Sequence, residues 1–520
     1  MVVSRRDAVP ASEDGLSGYS ELPYGSAYRR SVDPSVLLAH PVARSIRARS
    51  GLFNVGTVRA LDLACGSGKQ LIGAAVANHG FRFHGVDGTP AHIAQAESYV
   101  ELANLDNTTF ECADLLNWPY SPEHCGSYDV VTCSGTFAWA PVTVQRSILR
   151  IIAHSLSADG IAAVHVLTKP GALTTIAAQK SLKASVDGHE ALRTRLNTAT
   201  AYATKLAPLV EGVATDYGIG VDAAIKAISQ RTDTGVAHEY LGGTVSAYYF
   251  RELVQMTEEH GLHIVGDATF GVACPASLPE GLPGQLYASA KDWNEQQELL
   301  DFFGRSPGGR CILLAKKPRL AMDTCVSFSG LHIRLHKQCE IEELMRCVRI
   351  TPHRGRDITG LIAWVEQLRS QYPATISVDD MAVSIETDRN EMLLDLLASS
   401  TIECCVRPLA FASWAAGAPQ TGRLAVAELR SGSHELTSRT GNSIATCGLF
   451  TEILNLADGT QSIADLERQS MNWNLTSSDS TSLHALSNLS AECARESAVT
   501  SVGDLARNLP TRLYELGYFE

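Results

Sequence analysis

No stretch of the sequence approaches the ~18 consecutive apolar residues of a membrane-spanning helix, so no membrane span is expected. Arg5-Arg6 stand near the N-terminus, but Asp7 and polar residues follow where a secretory leader would carry its apolar core. Basic residues are in deficit. Against 56 Asp+Glu there are 43 Lys+Arg, a net charge of −13 at pH 7. Polyanion-binding surfaces show a basic excess, so nucleic acid is not an expected partner. Cys-x-x-Cys spacing is missing from the thirteen cysteines, whose one adjacent pair is Cys404-Cys405. A zinc cage therefore has no support, nor does a His-Glu-x-x-His site, because Gly242 stands where the second histidine after His238-Glu239 would be. No metal is expected. An odd number of thiols, with no export signal, reads as reduced cysteine in a cytoplasm.

What is present is an ordinary globular composition, 45% hydrophobic and 19% charged over 520 residues, enough for three or four domains at ~150 residues each. Residues 1–18 are polar and read as a loose tail. Asp33-Pro34 offers a helix N-cap followed by proline at the first helical position. Strands are then expected at 58–64, 82–87, 108–112, 128–133 and 160–167, with helices at 69–78, 90–102 and 142–155 between them. This alternation argues for an α/β fold with a parallel sheet wrapped by helices. It stops at Pro170-Gly171. The chain is Ala-rich and helical in pattern to about residue 236, then gives a helix around 246–260, a strand at 262–270, a surface loop at 275–284, a helix at 294–303 and a strand at 310–316. The helical stretch thus reads as an insertion into one sheet domain. The remainder reads as a small α+β unit to about 406, then a Gly-, Ser- and Ala-rich helical or winged-helix-like module.

The chemistry concentrates at Leu61-Asp62-Leu63-Ala64-Cys65-Gly66-Ser67-Gly68, after the first strand and before a helix. Small residues at Ala64, Gly66 and Gly68 let a ligand touch the backbone at the carboxyl end of the sheet, where nucleotide-type ligands bind. Asp62 places a carboxylate in that turn. A pyrophosphate would be repelled by it; an adenosylmethionine, which carries an ammonium group and no phosphate, would not. Asp87, in Val86-Asp87-Gly88, ends the second strand, where it can accept ribose hydroxyls. Asp114, in Asp114-Leu115 after the third strand, can accept from an adenine amino group. The bland alternative makes Asp87 and Asp114 simple turn caps.

The sheet domain resembles the class I S-adenosylmethionine-dependent methyltransferases, and within them the bacterial protein lysine methyltransferases that carry a methyltransferase regulatory domain. The resembling stretches are Tyr19-Ser20-Glu21-Leu22-Pro23-Tyr24, Gly135-Thr136-Phe137-Ala138-Trp139-Ala140-Pro141, His238-Glu239-Tyr240-Leu241, Tyr249-Phe250, His260-Gly261-Leu262 and Arg310-Cys311-Ile312-Leu313-Leu314. The resemblance implies a Rossmann-like seven-stranded methyltransferase sheet with a helical insertion, followed by small α+β and winged-helix-like modules. It implies S-adenosyl-L-methionine as cofactor, a protein or peptide substrate, and a homodimer to which the insertion contributes. The domain limits expected are 1–50 (tail and helical lead-in), 51–170 (cofactor-binding sheet core), 171–260 (insertion and regulatory domain), 261–318 (closing strands), 319–406 (middle domain) and 407–520 (C-terminal module).

Candidate cofactor residues are Asp62, Ala64, Gly66, Gly68, Asp87, Gly88, Asp114, Leu115 and Gly135. Phe137 and Trp139 are candidate aromatic walls for a methyl-transfer tunnel, since aromatic faces stabilise soft cations. Tyr24 is a candidate lid over the methionine end, and His165 a candidate base. His238, Glu239 and Tyr240 could reach the acceptor cleft from the insertion. The competing readings are core packing for Phe137 and Trp139, an anchor of the N-terminal segment for Tyr24, a buried histidine bonded to backbone for His165, and a structural polar network for His238-Glu239-Tyr240. One departure stands out. Where the family carries Tyr-Asn-Thr-Tyr-Pro-Gly, this chain has Val166-Leu167-Thr168-Lys169-Pro170-Gly171. If Lys169 points inward, it disfavours a lysine ammonium and points to a less basic acceptor; if it points to solvent, Leu167 merely packs the sheet. The function expected is methyl transfer to a protein or peptide side chain, most simply N-methylation. The alternatives are a methyltransferase of ribosomal peptide precursors or small molecules, and a non-catalytic adenosylmethionine-binding regulator.

Overall fold

The computed structural model describes residues 27–48, 57–186, 191–211, 225, 228, 233–274, 282–303, 308–319, 327–336, 358–381, 389–409, 421–433, 435–441, 443–445, 448–460, 462–470 and 509, 510, 513, 518 and 519. The first sheet comprises β1 (Arg59–Leu63), β2 (Arg82–Asp87), β3 (Thr108–Cys112), β4 (Tyr128–Cys133), β5 (Leu156–Thr168), β6 (Ala247–Tyr248), β7 (His263–Asp267) and β8 (Gly309–Ala315). Its order is β3-β2-β1-β4-β5-β8-β7, with β6 paired to β5 off that path. β1 to β5 run parallel, and β8 is antiparallel to both β5 and β7. The order reverses beside β1, where β4 leaves on the opposite side from β2, and this switch point aims the carboxyl ends of β1 and β4 into one crevice.

Alternation along the strands feeds two cores. Ala60, Val130, Ala163 and Leu313 pack on one face with Tyr28, Leu37, Ile46 and Ile72. Leu61, Val131, Val164 and Leu314 pack on the other with Ile148, Ile151, Phe250 and Leu253. The covering helices are α1 (Pro34–Ala39), α2 (Pro41–Ala48), α3 (Lys69–Ala77), α4 (Pro90–Leu102) and α5 (Val142–Ser155). Asp33 caps α1 by accepting from Ser35 N at 2.7 Å.

The insertion supplies α6 (Leu173–Ala184) and α7 (Leu192–Glu211), then a short helix Asp233–Gly235 running into a π-helical turn Val236–Tyr240. Leu182, Leu196, Ala199, Ala203 and Tyr240 form its own apolar core. The expected helix over 246–260 is corrected. Ala247 and Tyr248 pair with Leu167 and Thr168 as a short strand, and the helix α8 is confined to Phe250–Glu258. The reason is long-range: the end of β5 offers a free edge, and an extended Ala-Tyr pair fills it. Then come α9 (Leu282–Ser289) and α10 (Trp293–Phe302).

The middle region holds an antiparallel sheet of order β10-β9-β11, from β9 (His332–Leu335), β10 (Ile376–Ser377) and β11 (Ile402–Cys405), with α11 (Ile358–Gln371) and α12 (Arg389–Ala398). The last region has α13 (Arg423–Arg430), a hairpin of β12 (Glu435–Thr437) and β13 (Ser443–Ala445), α14 (Gly448–Leu456) and α15 (Ile463–Ser470). Both regions dock on the domain of the first sheet. Glu403 of β11 accepts from Arg30 Nε at 3.0 Å and Arg334 Nε at 3.1 Å, all three buried. Leu424 and Ala427 of α13 enter the same core as Tyr99 of α4 and Ala103 just after it.

Candidate active site

The turn after β1 is shaped by three left-handed residues in close succession, Ala64 (φ 55°), Gly66 (φ 55°) and Gly68 (φ 74°). Ala64 adopts this conformation at a cost of ~1–2 kcal/mol, a strain that persists where a site needs it. A Cβ on Gly68 would lie 2.5 Å from the Phe110 ring, whereas one on Gly66 would meet nothing within 4 Å. The turn is thus packed from behind and open in front. Cys65 N donates to Val86 O at 3.0 Å, and Ala113 N to Asp87 O at 3.0 Å. These bonds join the turns after β1, β2 and β3 into one rim.

Asp87 is the knot of that rim. Its Oδ1 accepts from Thr89 N at 2.9 Å and lies 3.1 Å from His92 Nδ1, while Oδ2 accepts from Gly66 N at 2.9 Å. Burial would raise its carboxyl, but His92 and the two N–H groups outweigh burial and hold it below the usual carboxylate range. A carboxylate has about four in-plane acceptor sites, and three of them are taken. The remaining one, on Oδ2, suits a single strong hydrogen bond from a ribose hydroxyl, which narrows the expectation of two. Asp114 is exposed and accepts from Leu116 N at 2.9 Å and Asn117 Nδ2 at 3.0 Å, so it caps its own turn and keeps acceptor sites for an amino group. Leu115 is buried beside it, its carbonyl held by Ser147 at 2.7 Å. Gly88 and Gly135 line the same edge, and a Cβ on Gly135 would meet open space.

Asp62 differs from the other acids. It is buried and accepts from Thr132 Oγ1 at 2.6 Å, and among the described residues no cation pairs with it. Burial pushes its carboxyl up to about 7, and the nearby charge of Asp87 adds to this. A carboxylate so placed lacks a positive partner. The polar groups fit S-adenosylmethionine: an open glycine turn, two strand-end carboxylates that keep acceptor sites, and a buried acid with no cation beside it among the described residues.

A second group of candidate residues lies at the ends of β4 and β5. The turn Phe137–Trp139 follows β4, and Ser246 N donates to Ala138 O at 2.8 Å. The Tyr248 hydroxyl donates to Gln145 Oε1 at 2.5 Å, and Gln145 Nε2 donates to Phe137 O at 2.9 Å and Ala140 O at 3.0 Å. Gln145 is fully buried, so this chain is a strut from β6 to the turn after β4. Neither Gln145 nor Tyr248 was legible as a site residue; the adjacent aromatics Tyr248-Tyr249-Phe250 were the one available hint. His92 was also missed, a lone histidine five residues beyond Asp87.

Several expected residues lie elsewhere. Phe137 is buried in the core beneath the sheet, because its ring packs with Leu115 and Ile148. Tyr240 belongs to the insertion's apolar core. His238 and Glu239 share its buried π-helical turn, and Gln179 donates to Glu239 O at 2.9 Å. Leu167 packs with Ala138, Ala172 and Ala247, and half-buried Trp139 packs on that cluster. His165 stands three residues before the end of β5; burial first, and then Arg29, lower its imidazole to about 4. Its Nδ1 has no hydrogen-bond partner among the described residues, so the neutral ring is held by packing. Lys169 turns to α8: Nζ lies 3.5 Å from Glu252 Oε2 and 5.0 Å from the Tyr249 ring centre. Tyr24 lies outside the described residues.

Residues 55–205 match the family model of a methyltransferase domain, and residues 232–308 that of a predicted methyltransferase regulatory domain. The chain therefore carries the catalytic domain of an S-adenosylmethionine-dependent methyltransferase. Its further distinction is the regulatory domain joined to that catalytic one. An uncharacterized protein of Rickettsia prowazekii is 23% identical over 284 residues, 55% of this chain and 50% of that protein, so the chain spans about half of that relative's length. A second uncharacterized protein of the same organism is 23% identical over 246 residues, 46% of this chain and 94% of the relative. The solved structure of PKMT2 from Rickettsia typhi is similar in fold over 95% of this chain and 99% of its own, with a TM-score of 0.68 at 19% identity. That protein has also been solved in complex with AdoHcy, a structure with the same TM-score at 18% identity. No described helix is long and apolar enough to cross a membrane, and no cluster of metal-ligating side chains occurs among the described residues.

Proposed function

We propose that the protein transfers the methyl group of S-adenosylmethionine to a side-chain nitrogen of a protein or peptide, and that this nitrogen belongs to lysine. The observation that carries the reading is the placement of Lys169. Its ammonium is paired with Glu252 and covered by Tyr249, so it presents no unpaired cation to an incoming ammonium. Glu252, with a side chain 47% exposed, is neutralised by the same pair, so neither charge stands alone beside the acceptor edge. This pairing favours a lysine acceptor over the less basic one that an inward Lys169 would select.

When bound, the cofactor supplies an activated methyl group, so the chain's work is mainly alignment, which can lower a barrier by ~7–11 kcal/mol. Asp87 would hold the ribose, Asp114 the adenine and Asp62 the ammonium, with the backbone at Ala64, Gly66, Gly68 and Gly135 allowing close approach. Trp139 and the strut from Tyr248 would set the wall facing the acceptor. His165, a neutral imidazole inside the sheet, does not serve as base in this reading; a lysine would lose its proton by desolvation on approach. A homodimer through the insertion of α6 and α7 belongs to the same proposal, and light scattering tests it. The catalytic claim is tested by mass spectrometry of lysine-rich proteins and lysine-free peptides after incubation with the enzyme and labelled cofactor. Methylation confined to lysine is expected. Robust labelling of lysine-free peptides would overturn the acceptor assignment.

A further inference from the structure

The helix that starts at the cofactor turn, α3, is gripped at its first residue by the C-terminal region. Lys69 stands at the first helical position, directly after Gly68. Its Nζ lies 2.8 Å from Glu428 Oε1 of α13 and 3.4 Å from Ser433 Oγ, and 5.8 Å from the Tyr99 ring centre. Both charged side chains are nearly sealed from solvent, 7% and 0% exposed. Glu428 is itself fixed by Thr437, whose backbone N–H donates at 2.5 Å and whose hydroxyl donates at 2.9 Å. The apolar contact of Leu424 and Ala427 with the α4 side of the core seats this helix in one position.

A lysine at a helix N-terminus is in an unfavourable place, because the helix dipole already puts partial positive charge there. A buried one is worse, unless a carboxylate accompanies it. In this fold that carboxylate comes from a region more than 350 residues later in the chain. We propose that Glu428 is a positioning residue of the cofactor site. It neutralises Lys69 at the foot of the glycine turn and so permits a cationic cofactor to bind there; the C-terminal region is a working part of the cofactor site. This rests on the reading that the turn Gly66–Gly68 holds S-adenosylmethionine.

The charge logic gives a signature that simple structural support would not. With Glu428→Gln, Lys69 is left as an uncompensated cation one residue beyond the turn. It repels the sulfonium of S-adenosylmethionine and has no such effect on the neutral thioether of S-adenosylhomocysteine. Calorimetry on the full chain should show S-adenosylmethionine weakened about fivefold or more and S-adenosylhomocysteine less than about twofold. The double variant Lys69→Met with Glu428→Gln, which buries no lone charge, should recover the affinity for S-adenosylmethionine. Asp87→Ala is the control for the site itself. If it leaves both affinities intact, the reading of the turn is wrong. If it weakens both while Glu428→Gln leaves the two affinities unchanged, or lowers them equally with no rescue by the double variant, the role given to Glu428 is overturned.

Discussion

Cofactor affinity should rise with pH below neutrality, and Asp62→Asn should remove that dependence. Asp62 is buried, has one hydrogen bond from Thr132, and faces the neighbouring carboxylate of Asp87 with the thiols of Cys65 and Cys133 also close. Its carboxyl sits at about 7 against an ordinary 3.8, so ionising it inside the fold costs on the order of 4 kcal/mol. The sign follows from proton counting. Between about pH 4 and pH 7 the folded chain holds a proton on Asp62 that the unfolded chain has released, so this group's contribution to stability falls as pH rises through that window. Binding of an ammonium reverses the balance, because it stabilises the ionised acid. Below pH 7 the cofactor must therefore displace a proton. At about pH 6 Asp62 is roughly 90% protonated, and affinity should be about eightfold lower than at about pH 7.5. An α-amino group, with a reference pKa near 7.7–8.0, stays largely cationic over that range. Calorimetry in buffers of different ionisation enthalpy measures the proton directly, and close to one should be released per cofactor at about pH 6. Equal affinity at both pH values in the folded wild type, or an unchanged dependence in Asp62→Asn, would refute the pairing of this acid with the cofactor.

Three further outcomes are expected. Tyr248→Phe should leave cofactor affinity unchanged but raise the KM for the acceptor, because losing a hydrogen bond to the buried Gln145 removes ~1–2 kcal/mol from the strut that places Phe137–Trp139; initial-rate kinetics separate the two. Gly73→Ala should lower Tm, since the new methyl would sit 2.5 Å from Tyr28 Cγ, and overpacking of ~1–3 kcal/mol outweighs the better helix propensity. Glu403→Gln should cost ~3–5 kcal/mol by removing the buried carboxylate of Arg334 and leaving Arg30 with Asp33 alone, 3.6 Å away. In the wild type, burial acts to raise Glu403, but the two guanidiniums overcome it and hold the acid far below the usual range. Its contribution is therefore present above the ordinary glutamate pKa and lost only as pH falls through the depressed value, which acid denaturation at stepped pH will register.

The sheet was legible wherever a local pattern decided the element. Strand β2 at Arg82–Asp87 and helix α5 at Val142–Ser155 lie where apolar runs and turn residues place them. The glycine turn and its acids were legible for the same reason, since small residues and strand-end carboxylates stand next to each other in sequence. What could not be read depends on partners far along the chain. Strand β6 is two residues long and exists because β5 extends to Thr168 and offers an edge. The direction of Lys169 is decided by Glu252, 83 positions on, and no local rule ties the two. Phe137 reads as a tunnel wall beside Trp139, but the turn points one ring into the core and leaves the other at the edge.

The junction of Arg30 with Glu403 also bears on how the chain is made. Arg30, the Tyr28 that packs on Gly73, and the Asp33 that accepts from Tyr28 at 2.6 Å are among the early residues to leave a ribosome. The second carboxylate of Arg30, Glu403, emerges 373 residues after it, beyond every strand of the first sheet. At ~5–20 residues per second the wait is on the order of half a minute. During it the sheet can form, but the arginine beside it has only Asp33, 3.6 Å away, as counter-charge and not the closer Glu403, so the nascent chain is held short of its final stability until the middle region has been synthesised. A chain ended before that point would keep its glycine turn but leave Arg30 with Asp33 and Tyr28 alone, and proteolysis should open it more readily than the full chain.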